Sequence, residues 1–332
     1  MLFYDNKKKH WLMSTYSIMV VLALLGFTSC NKANENNDIK EPEISITAMV
    51  SPTTLVPKDT SSEDNTASDE IEVIPKAEEV KQADYSECFN GVKGCAVFFD
   101  SESNTYTMYN EELCEKRISP CSTFKIIATI MGLDHQTITS VDSTMGYDGT
   151  RYPMDQWSKD LNLKDAFKES CVWYFRKVID DIGQSKVQSY LDHLNYGNCD
   201  INEWNGSGIN PLPDLNGFWL ESSLEISPKE QVNVLANLFD GKTDFSQAHI
   251  NILKDVMLTE TIGSVSVYGK TGTGQDDITK HRDNGWFVGM FENSEECYYF
   301  AVHLNDDSKE VSGPMAKEIA LDIINQYYVE SN

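Results

Sequence analysis

The stretch Pro120–Leu133, PCSTFKIIATIMGL, is the most informative segment of the 332-residue sequence. It places Ser122 just before an apolar run, with Lys125 three residues later. Pro and Ser favour the first positions of a helix, so the run from Ile126 is predicted to be helical. Residues three apart share a helix face, so the Ser122 hydroxyl and the Lys125 amine should be neighbours. Backbone N–H groups at a helix start can also stabilise an oxyanion, so this stretch predicts an activated serine nucleophile.

A Lys-Thr-Gly triplet, Lys270–Gly272, lies about where the opposite wall of such a site would be needed. A Ser-x-x-Lys motif alone is weak evidence because it arises often by chance. The two motifs together are the pairing found in serine β-lactamases and penicillin-binding proteins. They therefore favour an acyl-transfer site.

The first 30 residues have the pattern of an export signal. Three lysines at positions 7–9 precede an apolar run at 11–27, and Thr-Ser-Cys follows at 28–30. This succession resembles a bacterial lipoprotein signal, so we expect a signal peptide at 1–29 and a lipid on Cys30. A plain membrane anchor is the alternative. Both predict an exported protein, anchored to a bacterial membrane and facing the periplasm or the cell surface.

Composition argues against two kinds of partner. Acidic residues outnumber basic residues by 52 to 27, which gives a formal net charge of -25. No basic cluster follows the N-terminal lysines, so a nucleic acid is not an expected partner. The eight cysteines include no Cys-x-x-Cys motif, and no histidine pair has ligand spacing, so no metal site is expected. Disulfides between Cys88 and Cys95, or between Cys114 and Cys121, remain open.

Residues 30–83 differ in character from the rest of the chain. They are rich in Asn, Glu, Asp, Ser, Thr and Pro, and no aromatic residue occurs among them. Such a segment buries too little apolar surface to offset the entropy cost of ordering, so we predict a disordered acidic tether. The folded domain is expected over 84–332, which is long enough for a substantial core.

Hydrophobic spacing predicts an α+β domain. The predicted strands are Gly94–Asp100, Thr105–Asn110, Gly263–Lys270, Asn284–Glu292 and Cys297–Asn305. One predicted helix follows Ser122, and the others are Leu163–Ile182, Lys186–Leu194, Pro228–Leu238 and Pro314–Tyr328. This order predicts an antiparallel sheet flanked by helices, a second helical region, and an active site in the cleft between them.

A series of motifs in order resembles the class D serine β-lactamases over essentially the whole of residues 84–329. The segments are Ser122-Thr123-Phe124-Lys125, Ser170-Cys171-Val172, Tyr196-Gly197-Asn198, Phe218-Trp219-Leu220-Glu221, Lys270-Thr271-Gly272 and Gly285-Trp286-Phe287-Val288-Gly289. A single triplet would be weak, whereas an ordered series across a domain is specific. The resemblance implies the serine β-lactamase and penicillin-binding-protein fold, and hydrolysis of a β-lactam substrate.

The resemblance also implies a modified lysine. A lysine with the ordinary pKa of about 10.4 is protonated in water and cannot act as a base, but burial lowers that pKa. In this family the neutral amine reacts with carbon dioxide, so Lys125 is expected to carry a carbamate, with no other cofactor. The expected carbamate pocket consists of the apolar side chains of Phe124 and Val172 and the indole N–H of Trp219.

Further roles follow from the same resemblance. Ser170 is expected to pass a proton to the leaving nitrogen, with Lys270 as its electrostatic partner. Thr271 is expected to bind the substrate carboxylate, and the N–H groups of Ser122 and Thr273 are expected to form an oxyanion hole. The expected catalytic set is Ser122, Lys125, Ser170 and Lys270, and the expected substrate-binding set is Thr271, Gly272 and Thr273.

One position departs from the family pattern. Class D enzymes usually carry an arginine near the start of the last helix that helps to hold the substrate carboxylate, and Ala316 stands there. Lys280, Arg282 and Lys309 are the candidates to replace it. Restoring the charge with Ala316→Arg is expected to lower KM.

Two other functions remain open. Domains that sense β-lactams share this fold and are acylated without releasing product, but they tend to carry a polar residue in place of Val172. A DD-peptidase acting on the cell wall usually has Ser-x-Asn where this chain has Ser-x-Val. The sequence therefore favours a serine β-lactamase, with a non-hydrolysing sensor or a DD-peptidase as alternatives.

Overall fold

The predicted strands lie in one mixed sheet. The computed structural model describes residues 76–275 and 280–329, so the expected signal peptide and most of the tether lie outside the described residues. The strands are β1 (Glu79–Gln82), β2 (Gly94–Asp100), β3 (Thr105–Tyr109), β4 (Leu258–Ile262), β5 (Val265–Gly274), β6 (Asn284–Glu292) and β7 (Cys297–Asn305). Their order is β1-β3-β2-β7-β6-β5-β4, antiparallel throughout except for the parallel pair of β1 and β3.

Helices cover this sheet and form a second region beside it. They are α1 (Ser86–Phe89), α2 (Glu111–Cys114), α3 (Lys125–Asp134), α4 (Leu163–Lys168), α5 (Val172–Ile182), α6 (Gln184–Leu194), α7 (Pro228–Phe239), α8 (Gln247–Met257) and α9 (Gly313–Ile324). Short 3₁₀ helices span Cys121–Phe124, Asp155–Trp157 and Pro213–Leu215, and a π-helical turn, Asn325–Val329, follows α9. Within the described ranges, no helix has the length and apolarity needed to cross a membrane.

Both faces of the sheet are covered. Along β2, Cys95, Val97 and Phe99 point to one face, and Ala96 and Phe98 point to the other, as strand alternation requires. The first set belongs to a core with α3, α5 and α7, and the second set packs against α9. Because β2 is buried on both faces, it reads in the sequence as a continuous apolar run.

Local sequence signals set several boundaries. Oγ of Ser227 accepts a hydrogen bond from the N–H of Glu230, whose carboxylate accepts one from the N–H of Ser227. This capping box, with Pro228 in the first turn, begins α7 where the sequence predicts it. Strands β6 and β7 have the predicted bounds at both ends.

The predicted helix Leu163–Ile182 is wrong in one respect, because it is two helices that meet at Ser170. That residue has a left-handed backbone with φ of 55°, and the N–H of Cys171 donates to the carbonyl of Ala166 at 2.8 Å. Ser170 therefore lies in a turn between α4 and α5 and not inside a helix. Apolar spacing cannot reveal the break, because both helices bury the same kind of side chain.

The tether ends earlier than predicted. Residues 79–82, assigned to it from composition, form β1 and pair with β3, with Glu79 opposite Thr105. The stability of this exposed strand comes from backbone hydrogen bonds to a neighbour, which composition does not report. Helix α8 and strand β4 were not predicted. The strand predicted over Gly263–Lys270 extends to Gly274, and α9 ends at Ile324, before the predicted bound.

The cysteine pairs considered from the sequence are not formed. The seven cysteines of the described ranges are all free thiols. Sγ of Cys114 donates to the carbonyl of Ala96 at 3.4 Å, and Sγ of Cys121 donates to Glu221 at 3.1 Å. The partner of the Cys114 thiol is set by the packing of α2 against β2, and the spacing of cysteines in the sequence does not report this tertiary contact.

Candidate active site

Ser122 lies in the 3₁₀ turn that leads directly into α3. Nζ of Lys125 donates a hydrogen bond to Oγ of Ser122 at 2.8 Å, so the neighbour contact expected from the spacing is present. Cys121, the preceding residue, has φ of 49°. A residue with a Cβ rarely adopts this backbone conformation, and such conformations cluster at functional sites. The turn therefore holds the serine in a costly and specific geometry.

Lys125 is fully buried at the base of the site. Burial lowers the pKa of its amine from the ordinary value to about 8. Its Nζ lies 5.7 Å from the centroid of the Phe175 ring. A neutral fraction of the amine is thus present near neutral pH, which both a general base and a carbamate require.

Aromatic and apolar side chains form the pocket around this lysine. The rings of Phe124 and Trp219 stack at 5.3 Å, and both side chains are fully buried. Val172 begins α5 and is also buried. Nε1 of Trp219 is buried and has no hydrogen-bond partner among the described residues. An unpaired buried donor is costly, so these residues fit an added acceptor such as a carbamate oxygen.

Ser170 and Lys270 meet across the cleft. Nζ of Lys270 donates to Oγ of Ser170 at 3.0 Å and to the carbonyl of Thr271 at 2.9 Å. Burial holds the pKa of Lys270 well below its usual range, and the charge of Lys125 lowers it further. The structure therefore joins the four residues of the expected catalytic set in two hydrogen-bonded pairs, Ser122 with Lys125 and Ser170 with Lys270.

Strand β5 runs beside the nucleophile turn. A Cβ on Gly272 would lie 3.1 Å from the carbonyl oxygen of Pro120 and 3.2 Å from Cγ2 of Thr123. Glycine at this position lets the strand approach the turn closely. Oγ1 of Thr273 accepts a hydrogen bond from the N–H of Gly313 at 2.8 Å, which ties the strand to the start of α9.

A cavity of about 530 Å³ opens beside this group. Its lining includes Val172, Leu215, Leu220, Glu221 and Thr273. The volume is in the range of small-molecule sites, and apolar walls with a few polar groups are typical of them. A smaller recess of about 150 Å³ adjoins β5 and includes Lys270 and Thr271.

The position at which class D enzymes usually carry the carboxylate-binding arginine, Ala316 in this chain, is buried. Ala316 lies in the first turns of α9, fully buried in the core on that face of the sheet. The gain expected from Ala316→Arg is therefore not supported, because a charged side chain has no room there. Arg282 pairs with Glu310 at 2.8 Å, and Lys309 donates to a carbonyl at 2.6 Å. Of the three candidates, Lys280 is the one that lines the cavity.

Sequence reasoning missed a polar group beneath the nucleophile turn. Oε1 of Glu221 accepts hydrogen bonds from Sγ of Cys121 at 3.1 Å and from Nδ2 of Asn284 at 2.8 Å. Glu221 is the last residue of the Phe218-Trp219-Leu220-Glu221 motif, in which the family resemblance implied a role for Trp219 alone. The available signal was Asn284, a polar residue at the start of a strongly apolar strand.

A serine–lysine pair, a second serine–lysine bridge and the Lys-Thr-Gly strand beside a cavity define a serine penicillin-binding domain. The sequence profile of the penicillin binding protein transpeptidase domain matches residues 84–325. The chain belongs to this family, in the branch that contains the class D β-lactamases and the related penicillin-receptor domains.

Individual relatives fall into both groups. The crystal structure of a class D β-lactamase from Bacillus subtilis is 31% identical with a TM-score of 0.65, covering 74% of this chain and 95% of that one. The C-terminal domain of the Bacillus licheniformis BlaR penicillin-receptor is 35% identical with a TM-score of 0.66, covering 75% and 96%. The regulatory protein BlaR1 of Bacillus licheniformis is 37% identical over 250 residues, which span 74% of this chain but 39% of BlaR1.

Proposed function

We propose that this protein hydrolyses β-lactam antibiotics through an acyl-enzyme on Ser122, with Lys125, in its carbamylated form, as the general base. The observation that carries the proposal is the 2.8 Å contact between Lys125 and Ser122 in a buried pocket that also contains the unpaired N–H of Trp219. A carbamate on Lys125 supplies an anionic base for both the acylation and the deacylation half-reactions.

Each residue then has a defined task. The Lys125 side chain accepts the proton of the Ser122 hydroxyl, and Oγ of Ser122 attacks the lactam carbonyl carbon. The N–H groups of Ser122 and Thr273 stabilise the oxyanion that forms. The carbon–nitrogen bond then breaks, and the hydroxyl of Ser170 delivers a proton to the nitrogen and regains one through Lys270. In the second half, the Lys125 side chain, which has returned its first proton to the Ser170–Lys270 pair, takes a proton from the water that attacks the ester and gives it to Oγ of Ser122 as the opened product leaves.

A non-hydrolysing sensor is the second candidate. The specific observation in its favour is the likeness to the BlaR penicillin-receptor domain, which is as strong as the likeness to class D enzymes. Val172 argues against it, because an apolar wall beside Lys125 favours the neutral amine that carbamylation needs. A DD-peptidase is a third candidate, because the matching profile is that of the penicillin binding protein transpeptidase domain.

The deciding experiment follows the acyl-enzyme of the purified chain with time. A chromogenic cephalosporin measures turnover with and without bicarbonate, and mass spectrometry of digests measures a penicillin adduct on the Ser122 peptide. Many turnovers with a transient adduct support the hydrolase, whereas one stable adduct per chain supports the sensor. Release of D-alanine from a peptide ending in D-Ala-D-Ala would support the peptidase. Ser122→Ala is the control, and an adduct that persists in it contradicts the proposed nucleophile.

We also propose that the mature chain is a lipoprotein anchored through Cys30, on the basis of the signal-like residues that precede it. Metabolic labelling with a fatty acid should mark the wild-type chain and fail for Cys30→Ala. Label on the variant, or a mature N-terminus elsewhere, would contradict the anchor.

A further inference from the structure

Glu221 links the nucleophile turn to the end of β5. Its Oε1 accepts from Sγ of Cys121 at 3.1 Å, and Cys121 directly precedes Ser122. The same oxygen accepts from Nδ2 of Asn284 at 2.8 Å, and Asn284 pairs across the sheet with Gly274. One carboxylate oxygen thus contacts both the segment that carries Ser122 and the last strand pair of β5 and β6.

The carboxylate also packs directly on the backbone of β5. A Cβ on Gly274 would lie 1.5 Å from Oε1 of Glu221 and 2.9 Å from Sγ of Cys121, so no side chain fits there. Thr273, the preceding residue, is the one whose N–H is assigned to the oxyanion hole. Glu221 therefore touches the immediate neighbour of each of the two oxyanion-hole residues.

Asn284 is itself held in one orientation. It is buried, and its Oδ1 lies 3.1 Å from Nε2 of His303. Because Nδ2 of Asn284 donates to Glu221, its Oδ1 must accept, and His303 must present a protonated Nε2. Burial lowers the pKa of His303 to about 3, so this imidazole stays neutral at ordinary pH. Titration of His303 therefore does not disturb the hydrogen bond from Asn284 to Glu221 at ordinary pH.

The same group stabilises two strained residues. Cys121 and Glu221 both have left-handed backbones, with φ of 49° and 46°. The N–H of Glu221 donates to Oγ of Ser119 at 2.9 Å, and the carbonyl of Ser119 accepts from Nε1 of Trp286 at 3.0 Å. Strained backbones persist only where the surroundings enforce them, and these bonds supply that restraint.

We propose that Glu221 is a positioning residue that sets the separation between the N–H groups of Ser122 and Thr273. The proposal rests on the acylation of Ser122 proposed above. Glu221 acts without touching the substrate, because it fixes Cys121 on one side and Gly274 on the other. Oxyanion stabilisation requires donors at about 2.7–3.1 Å from the developing charge, so a small change in this separation lowers the acylation rate.

The test compares Glu221→Ala and Glu221→Gln with a matched control, Glu225→Gln, whose side chain is exposed on the same segment. With a fluorescent penicillin, Glu221→Ala should lower the acylation rate constant by roughly 100-fold, the order of effect of one oxyanion donor. The dissociation constant of the complex before acylation should change less than about twofold, because that binding does not depend on the oxyanion. Glu221→Gln keeps Oε1 as an acceptor and should restore most of the rate.

A boronic acid supplies a second readout, since its tetrahedral adduct on Ser122 places an oxygen in the oxyanion hole. Its affinity should fall in parallel with the acylation rate, which a loss of general stability alone would not cause. Gly274→Ala, which displaces the carboxylate, should give a similar loss, and the losses of Gly274→Ala and Glu221→Ala should not add.

Unchanged acylation and boronate affinity in Glu221→Ala would overturn the proposal, as would strict additivity with Gly274→Ala. If instead the wild-type chain takes no penicillin label, the proposed function fails. The boronate comparison between variants then still decides the role of Glu221. If Glu221→Ala does not fold, Gly274→Ala takes its place: its acylation rate and boronate affinity should fall while those of Glu221→Gln stay near wild type, and equal values in the two variants would overturn the proposal.

Discussion

Nζ of Lys270 donates a hydrogen bond to Oγ of Ser170 at 3.0 Å, across 100 residues of sequence. The contact exists because Ser170 breaks the helical run with a left-handed backbone, which turns its hydroxyl toward β5. A regular helix through Ser170 would place that hydroxyl elsewhere. The strained backbone of Ser170 is thus coupled to its hydrogen bond with Lys270, and substitutions at Ser170 can test this coupling.

Replacement of Ser170 by glycine should separate strain from function. Glycine adopts a φ of 55° without the steric cost of a Cβ, so Ser170→Gly should raise the free energy of unfolding by up to about 1 kcal/mol. It also removes the hydroxyl that we propose as the proton donor to the leaving nitrogen, so acylation should slow by roughly 100-fold or more. Denaturant melts and penicillin labelling measure the two effects. Ser189→Gly, at an exposed helical serine, should lose stability and keep its activity.

The pH dependence of acylation should report the amine of Lys125. Burial lowers its pKa to about 8, so the neutral form is lost as pH falls below that value. In buffer freed of carbon dioxide, kcat/KM should fall about tenfold per pH unit below pH 8 and level off above it. Added bicarbonate should move the midpoint to lower pH, because carbamylation withdraws neutral amine from the equilibrium. A flat profile from pH 6 to 9 without bicarbonate contradicts the proposed base.

Val172 should decide between hydrolysis and arrest at the acyl-enzyme. A polar side chain beside Lys125 stabilises the charged ammonium by hydrogen bonding and so disfavours the neutral amine. We therefore expect Val172→Thr, which has nearly the same shape, to acylate at a rate within about tenfold of wild type and to deacylate far more slowly. Single-turnover kinetics with a penicillin separate the two steps. Val178→Thr on the same helix is the control for burying a hydroxyl. Equal slowing of deacylation in both variants would mean that the effect is not local.

The sequence predicted those parts of the fold that follow from short-range pattern. Strand β6 is a continuous apolar run between Asn284 and Glu292, so its bounds are predicted correctly. Helix α7 begins at a capping box that can be recognised in the sequence from Ser227 to Glu230. Strand β1 could not be predicted, because its residues are exposed and only the pairing with β3 orders them. The break at Ser170 was also missed, since α4 and α5 bury the same kind of apolar side chain and the spacing does not show where one helix ends.

The candidate site divides in the same way. Ser122 and Lys125 were predicted as neighbours because they lie three positions apart on one helical segment. The contact of Cys121 with Glu221 joins positions 100 residues apart and carries no spacing signal. Ala316 shows the converse error, since an alignment position suggested a substrate contact and the structure encloses it in the core.

Insertion of a charge at Ala316 should therefore destabilise the domain and not improve binding. Burying a guanidinium among apolar side chains without a partner is costly, and the extra volume also strains the packing. We expect Ala316→Arg to lose about 3 kcal/mol or more of unfolding free energy, with no fall in KM. Lys280→Ala, at the cavity, should instead raise KM by roughly tenfold if its charge contacts the substrate carboxylate. A stable Ala316→Arg variant with a lowered KM would show that the side chain reaches the cleft.

The last prediction concerns the indole of Trp219. Phenylalanine at this position keeps the stacking on Phe124 but removes Nε1, the buried donor that lacks a partner among the described residues. If that N–H holds a carbamate oxygen, Trp219→Phe should still acylate in a first burst and then turn over slowly, with partial recovery in bicarbonate. Without such a role, removal of an unpaired donor should leave turnover unchanged and stabilise the fold slightly. Trp204→Phe, a partly buried indole that stacks on Phe218, controls for loss of aromatic area. Carbon-13 NMR with labelled bicarbonate gives a readout independent of turnover, because a carbamate carbon signal should be present in the wild type, weaker in Trp219→Phe and absent in Lys125→Ala.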